Sequence, residues 1–151
     1  MTAASPEARA LDLPDNGVLG AIVRLNLCIT AVLEEIAGAA SLTFADYLVL
    51  GVVRRSPDGR SAPTEIANVL GRTTGGTTLA LDRLEANRLV RRTRHPDDGR
   101  RVVVELTAAG RRLATSVNDA LHDWEAGLAL PAPSGRLVEL LDALTDAVRA
   151  G

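Results

Sequence analysis

The sequence predicts a mainly α-helical chain with a small β wing, in which a winged helix-turn-helix domain is combined with terminal dimerisation helices. Three observations predict this fold class. Apolar residues recur at helical spacing over most of the 151 residues, two short helical segments flank a tight turn near residue 71, and two short alternating strands follow at once. We expect a flexible N-terminal arm over 1–16, helical dimerisation segments over 17–42 and 108–151, and the winged domain over 43–107.

The N-terminal third predicts a loose arm followed by one long helix. Residues 1–16 contain two prolines and no periodic apolar pattern, so we assign this arm no role. From 17 to about 40, apolar residues recur every three or four positions, which predicts an amphipathic helix. Its apolar stripe is wider than a lone surface helix needs, so we expect it to associate between chains; the alternative is that it folds back on its own helix-turn-helix.

A second helix is predicted from its cap. Thr43 has the hydroxyl of an N-cap residue, and Asp46 stands three residues on, in the place of the usual Glu or Gln of a capping box. The helix ends near Arg55, because the Ser-Pro-Asp-Gly sequence at 56–59 is a turn.

The next two helices form the predicted helix-turn-helix. The third covers 62–71, with a proline near its start and a glycine just past its end. Thr73 or Thr74 caps the fourth, which runs to about Asn87. The residues spaced to face inward are Thr77, Leu81 and Leu84, and those facing outward are Thr74, Gly75, Thr78, Leu79 and Asp82.

The wing follows directly. Residues 89–107 predict two short strands joined by a Pro-Asp-Asp-Gly turn at 96–99, with arginines at the tip. A hairpin of this kind behind a helix-turn-helix is typical of a DNA-binding wing. Thr107 then caps a long helix that ends before Pro131, and a last amphipathic helix begins near Ser134.

Charge is distributed unevenly along the chain. The net charge is −2, yet the segment 54–112 holds 13 arginines and 7 acidic residues, whereas the remainder holds 4 arginines and 12 acidic residues. A basic segment that coincides with the wing predicts a nucleic-acid partner, double-stranded DNA. Composition alone fits a solvated charged helix face equally well, and the position within a wing favours DNA.

Length and composition exclude several classes of protein. The 151 residues leave no room for a second catalytic domain. No stretch approaches the roughly 18 uninterrupted apolar residues of a membrane helix, and the N-terminus lacks an export signal, so we expect a cytoplasmic protein. The single cysteine, Cys28, excludes an intramolecular disulfide framework and a cysteine-cluster metal site.

Two motifs in this chain resemble the MarR family of bacterial winged-helix transcription regulators. They are DRLEANRLV at 82–90 and the segment 98–110, where an Asp-x-Arg in the wing precedes an alternating strand ending in Leu-Thr-x-x-Gly. The resemblance covers about 19–148. It implies an obligate homodimer with interlocking terminal helices, two winged lobes on the halves of a palindromic operator, and a pairing of Asp82 with Arg100 that holds the wing.

The candidate DNA contacts lie at the start of the fourth helix and in the wing. A recognition helix offers its N-terminal residues to the major groove, where hydroxyls bond bases or phosphates and paired glycines allow a close approach. A flexible first turn is the alternative for Gly75 and Gly76. Arg100 at the wing tip suits a narrow minor groove. The expected DNA contacts are Thr73, Thr74, Gly75, Gly76, Thr78, Arg83, Arg94, Arg100 and Arg101; the wing-orienting residues are Asp82 and Asp98; and Arg91 and Arg92 are lesser candidates for phosphate contact.

One departure from the family pattern concerns base reading. Many members carry Arg or Asn just after the threonine equivalent to Thr78, whereas this chain has Leu79 and Ala80. A polar contact to a base is therefore missing. Leu79 either touches a thymine methyl or packs against a neighbour.

The resemblance further implies a small, often aromatic or phenolic effector bound between the dimer helices and the winged lobe. The candidate effector-binding residues are Arg24, Asn26, Tyr47 and Trp124. For the two aromatic residues, Tyr47 and Trp124, packing in the protein core is the favoured alternative.

We expect a homodimeric transcriptional regulator, a repressor released by an effector, and not an enzyme. No cofactor motif is present, and His95 and His122 lack further ligands at metal-binding spacing. Cys28 is expected to be a small buried apolar residue. The alternatives are a winged-helix module that binds protein without specific DNA binding, and a thiol-redox-responsive regulator through Cys28.

Overall fold

The structure is a computed structural model that describes residues 17–95 and 97–150, so the arm predicted over 1–16 lies outside the described residues. The predicted fold class, mainly helical with a small wing sheet, is confirmed. In the described residues the elements are α1 (Val18–Ala39), α2 (Phe44–Arg55), β1 (Arg60–Ser61), α3 (Pro63–Leu70), α4 (Thr74–Ala86), β2 (Val90–Arg94), β3 (Val102–Leu106), α5 (Ala108–Ala126) and α6 (Ser134–Ala150).

The predicted capping box of α2 is confirmed. The hydroxyl of Thr43 accepts the backbone N–H of Asp46 at 3.1 Å, and the Asp46 carboxylate accepts the N–H of Thr43 at 3.4 Å. Asp46 is only 5% exposed, and its carboxylate also receives the guanidinium of Arg83 from α4 at 2.7 Å. This hydrogen bond raises the pKa of Arg83 above its ordinary value. One buried carboxylate thus begins α2 and holds α4 against it.

The helix-turn-helix has the predicted boundaries. Gly71 follows α3 in the left-handed conformation, with φ of 58°, which a glycine adopts without steric penalty. Thr73 then caps α4 by accepting the N–H of Gly76 at 3.2 Å. The residues predicted to face inward, Thr77, Leu81 and Leu84, are buried.

The wing sheet contains a third strand that the sequence did not predict. The order is β1-β3-β2 and all pairs are antiparallel. Glu105 on the central strand stands in register with Arg60 on one side and Arg91 on the other, at 3.7 Å and 3.1 Å between the charged atoms. The hydrogen bond from Arg91 is the main cause that lowers the pKa of Glu105. A two-residue strand shows no alternation, so sequence periodicity does not reveal β1.

One continuous core joins the winged domain to the first half of α5. Residues from α1, α2, α3, α4, two strands and α5 form it, which fixes α4 and the wing on the same support. The most deeply buried members are Ala37, Val49, Leu50, Val53, Ile66, Ala80, Leu81, Leu84, Val90, Val104, Leu106 and Ala114.

The Leu-Thr-x-x-Gly motif is the joint between the wing and α5. Thr107 caps α5 as predicted, because its hydroxyl accepts the N–H of Gly110 at 3.0 Å. The Thr107 N–H donates to the carbonyl of Leu89 at 3.0 Å, and its hydroxyl donates to the carbonyl of Arg88 at 2.7 Å. The motif therefore ties the end of β3 to the segment that enters β2.

The chain divides into two compact units, with the boundary between Leu121 and His122 inside α5. In the first unit, α1 buries only Ala37 and exposes much of its apolar surface. In the second unit, α6 buries none of its residues. The largest exposed apolar side chains of α6 are Val138, Leu140, Leu141 and Val148.

No single helix in the described part of the chain is long and apolar enough to cross a membrane. Only α1 and α2 taken together reach the required length and hydropathy, and the chain bends by 81° between them.

Replacement of Thr77 by valine is expected to stabilise the protein by about 1 kcal/mol. The Thr77 hydroxyl is buried and has no hydrogen-bond partner among the described residues, so an isosteric methyl removes an uncompensated polar atom. Urea unfolding measures the change. Thr78→Val is the matched control, because that exposed hydroxyl donates to the Thr74 carbonyl at 2.9 Å and its loss gives no such gain. A less stable Thr77→Val protein contradicts the prediction.

Candidate nucleic-acid interface

The first half of α4 presents its predicted outward face to solvent. Thr74, Gly75, Thr78 and Asp82 are all exposed, and Leu79 is 60% exposed. Leu79 is therefore not part of the core of its own chain. The face therefore combines small polar residues with one large apolar side chain.

The hydroxyls on this face are partly committed to the helix. Thr73 accepts the Gly76 N–H, so its own proton remains available to a phosphate oxygen. Thr78 donates to the Thr74 carbonyl, so only its lone pairs remain available. The N-terminus of α4 also carries backbone N–H groups and a partial positive charge, which suit an anionic ligand.

The two glycines of α4 differ in their surroundings. A side chain at Gly75 meets nothing within 4 Å, whereas a Cβ at Gly76 lies 3.3 Å from the Thr73 hydroxyl oxygen. The fold itself gives no steric reason for a glycine at 75. A close approach by an external partner is consistent with that open space.

The wing tip is shaped by Asp98, one of the two predicted wing-orienting residues. Its carboxylate accepts the N–H of Arg100 at 3.1 Å, and its carbonyl accepts the N–H of Arg101 at 2.9 Å. Arg94 donates to the carbonyl of Gly99 at 3.1 Å, and Arg101 lies 3.9 Å from Glu65. These contacts fix the backbone of the turn.

Arg100 is the arginine of the tip whose side chain makes no bond to any other described residue. It is exposed, and its guanidinium has no hydrogen bond or ion pair within residues 17–95 and 97–150. The turn therefore presents a single free guanidinium to a partner.

Asp82 does not pair with Arg100 as the resemblance implied. It pairs with Arg92 of β2 at 2.6 Å, and Arg92 also binds Glu85 through both its guanidinium and its backbone N–H. Partial burial lowers the pKa of Arg92, but the hydrogen bonds with Asp82 and Glu85 raise it above its ordinary value. Arg92 rather than Arg100 reaches Asp82 because β2 runs back beside the last turns of α4, whereas Arg100 lies at the far end of the hairpin.

Arg83 was also expected to contact DNA, and its guanidinium is instead bound to Asp46. It therefore holds α4 against α2, and its side chain remains 41% exposed. The sequence did not predict the ion pairs of Arg92 with Asp82 and Glu85, or that of Asp46 with Arg83. The spacing of Asp82 and Glu85, three residues apart, does indicate a shared helix face.

The four candidate effector-binding residues have different surroundings. Tyr47 packs against the core, in agreement with the alternative that it is a core residue rather than an effector contact. Arg24 is half-buried and Asn26 exposed on α1, while Trp124, which is 38% exposed, belongs to the second unit. The structure does not assemble these residues into one pocket within the first unit.

Two further expectations concern cysteine and metals. Cys28 is exposed on α1, so the expectation of a buried cysteine is wrong for the single chain. Among the described residues, no group of three or more His, Cys, Asp or Glu side chains is arranged to hold a metal ion.

The chain is similar to known proteins in both sequence and fold. The model of the MarR family matches residues 40–101, which include the whole helix-turn-helix and β2. Among curated protein sequences, none matches this chain.

Solved structures match nearly the whole chain. The transcriptional regulator BldR from Sulfolobus solfataricus has 25% sequence identity and a TM-score of 0.75, with 88% of this chain and 93% of that chain covered. A mutant MarR from Escherichia coli complexed with operator DNA has 26% identity and a TM-score of 0.72, with 85% and 92% covered. CouR from Rhodococcus jostii, bound to p-coumaroyl-CoA, has 20% identity and a TM-score of 0.79, with 87% and 92% covered.

Proposed function

We propose that this chain, whose winged segment at residues 40–101 matches the model of the MarR family, is a homodimeric repressor that binds a palindromic operator and is released by a small-molecule effector. The observation that carries the proposal is the exposed start of α4 together with the unpartnered guanidinium of Arg100 on one arginine-rich lobe. The mutant MarR complexed with operator DNA supports DNA as the partner of such a lobe. A DNA partner of this kind supports a cytoplasmic site of action for the protein.

In this proposal α4 enters the major groove and the wing lies along the adjacent minor groove. The donors at the start of α4 are the Thr73 hydroxyl and the backbone N–H groups near Gly75, which approach the sugar-phosphate chain closely. Thr74, Gly76 and Thr78 complete the contact surface. Arg100 inserts its guanidinium into the minor groove, where the negative potential is strongest. Arg94 and Arg101, held on the wing, add phosphate attraction.

The terminal helices supply the dimer interface in this proposal, over 17–42 and 108–151. Exposed apolar residues on α1 support it, because a single soluble chain rarely leaves so many large apolar side chains uncovered. Two copies related by a two-fold axis present two α4 helices to the two halves of a palindrome. The exposed apolar residues of α1 are Val18, Leu19, Val23, Leu25, Leu27 and Ile29.

An effector would act by shifting the population of dimers away from the DNA-binding spacing of the lobes. CouR bound to p-coumaroyl-CoA supports an aromatic or phenolic ligand for a protein of this fold. We propose Arg24 and Asn26 of α1 as its contacts in the first unit, and leave Tyr47 to the core.

Fluorescence anisotropy of the purified protein on DNA from its own upstream region tests the proposal, with random DNA as competitor across a salt series. We expect preferential binding to the upstream DNA and a steep loss of affinity with added salt, because neutralised phosphates release counterions. Equal, weak binding to both DNAs contradicts the proposal and favours a protein partner for the winged scaffold.

Arg92→Gln is expected to weaken DNA binding by on the order of tenfold at low salt. Without Arg92, the carboxylates of Asp82 and Glu85 stay uncompensated on a helix that must approach phosphates. The triple variant Arg92→Gln, Asp82→Asn, Glu85→Gln is expected to regain most of the affinity. Failure of the triple variant to recover indicates that Arg92 itself contacts DNA and contradicts the shielding role.

A further inference from the structure

We propose that Leu79 is a specificity-determining residue that reads the 5-methyl group of thymine in the major groove. The inference rests on the proposed DNA binding and names the chemistry by which α4 selects its site. Leu79 is 60% exposed, and it lies on the same outward face as Gly75, Thr78 and Asp82. A large aliphatic side chain without a partner on that face is suited to an apolar feature of DNA.

The one basic side chain of α4 and its exposed aspartate are already engaged. Arg83 is the only basic residue of this helix, and its guanidinium is bound to Asp46. Asp82 is paired with Arg92, and the proton of Thr78 is donated to Thr74. The helix therefore offers no free guanidinium or amide for the bidentate contacts that read guanine or adenine.

The apolar feature that DNA displays in the major groove is the thymine methyl group. Cytosine carries only a hydrogen atom in place of this methyl group and has a polar amino group beside it, so an aliphatic side chain favours thymine over cytosine. Gly75, which is one helical turn before Leu79, leaves open space beside it and lets the helix lie close to the bases. A thymine in each half-site, beneath Leu79, follows from this geometry.

The test removes the methyl group and nothing else. DNA enriched by the wild-type protein from a random pool is synthesised with thymine or with uracil at the enriched positions, and affinities are compared by anisotropy at one salt concentration. Loss of one buried methyl is expected to weaken binding about fourfold, and substitution in both half-sites about fifteenfold. Leu79→Ala is expected to bind the two DNAs equally.

Val69→Ala is the matched control. Val69 on α3 is 69% exposed, and α3 is expected to cross the DNA backbone rather than to read bases, so this variant should keep the preference for thymine over uracil. Alanine favours helices and neither side chain is buried, so both variants should keep the fold.

The failures of the two proposals are distinguishable. Equal wild-type affinity for thymine and uracil DNA, or enrichment of guanine where thymine is expected, overturns the role of Leu79 while specific DNA binding stands. A uracil effect that persists in Leu79→Ala assigns the methyl to another residue and also overturns it. A pool without any enrichment overturns both the role of Leu79 and the proposed function.

Discussion

Replacing Gly110 with alanine is expected to destabilise the protein by at least about 3 kcal/mol. A Cβ at this position would lie 1.9 Å from the carbonyl oxygen of Leu89 and 2.9 Å from its carbonyl carbon. The carbonyl cannot move aside freely, because it accepts the N–H of Thr107 at 3.0 Å. The substitution therefore forces apart the joint between the wing and α5, and with it the core residues on both sides.

Urea unfolding at a fixed protein concentration measures this effect. Gly38→Ala is the matched control, because a side chain at Gly38 in α1 meets nothing within 4 Å. Alanine there is expected to leave the protein unchanged or more stable by up to about 1 kcal/mol. A Gly110→Ala protein within about 1 kcal/mol of wild type would show that the joint yields easily, contrary to the geometry.

Arg100→Ala is expected to weaken operator binding by about 10-fold to 100-fold, the usual range for a guanidinium that contacts DNA directly. The free energy of unfolding should not change, since the Arg100 side chain bonds to nothing within the described residues. Anisotropy on the operator, over a salt series, gives both the affinity and the salt slope. The slope is expected to decrease by about one if the guanidinium neutralises one phosphate.

Arg149→Ala serves as the control for general loss of positive charge, because Arg149 is exposed in the last turn of α6, outside the winged domain. It should bind DNA as the wild type does. Equal affinities of Arg100→Ala and wild type would contradict the assignment of the wing tip to DNA.

The helices were predictable from the sequence because their signals are local. The capping pair of Thr43 and Asp46, the glycine after α3 and the cap of α4 at Thr73 each depend on residues a few positions apart, and the structure has all three. The hairpin was predictable for the same reason, from two alternating segments around a turn. β1 was missed because two residues contain no pattern, and its existence depends on pairing with β3.

The partners of charged side chains were less predictable, because they depend on tertiary distance. Family resemblance paired Asp82 with Arg100, yet the return of β2 beside α4 brings Arg92 to Asp82 instead. Arg83 has the charge expected of a DNA contact, and its guanidinium forms an ion pair with Asp46 that holds α4 against α2. The sequence left Leu79 open between a base contact and packing, and the structure shows only that it is largely exposed. The motif around Gly110 was visible in the sequence. The reason why position 110 needs a glycine was not, because a side chain there would meet the carbonyl of Leu89, 21 residues earlier.

The measurement that tests the central claim most directly is hydroxyl-radical footprinting of the protein on its selected DNA. We expect two protected segments whose centres lie about one helical turn, or about 34 Å, apart, each with a neighbouring minor-groove protection. Arg100→Ala should lose the minor-groove protections and keep the others. A single protected segment, or minor-groove protections that survive in Arg100→Ala, would contradict a dimer that reads DNA through α4 and the wing.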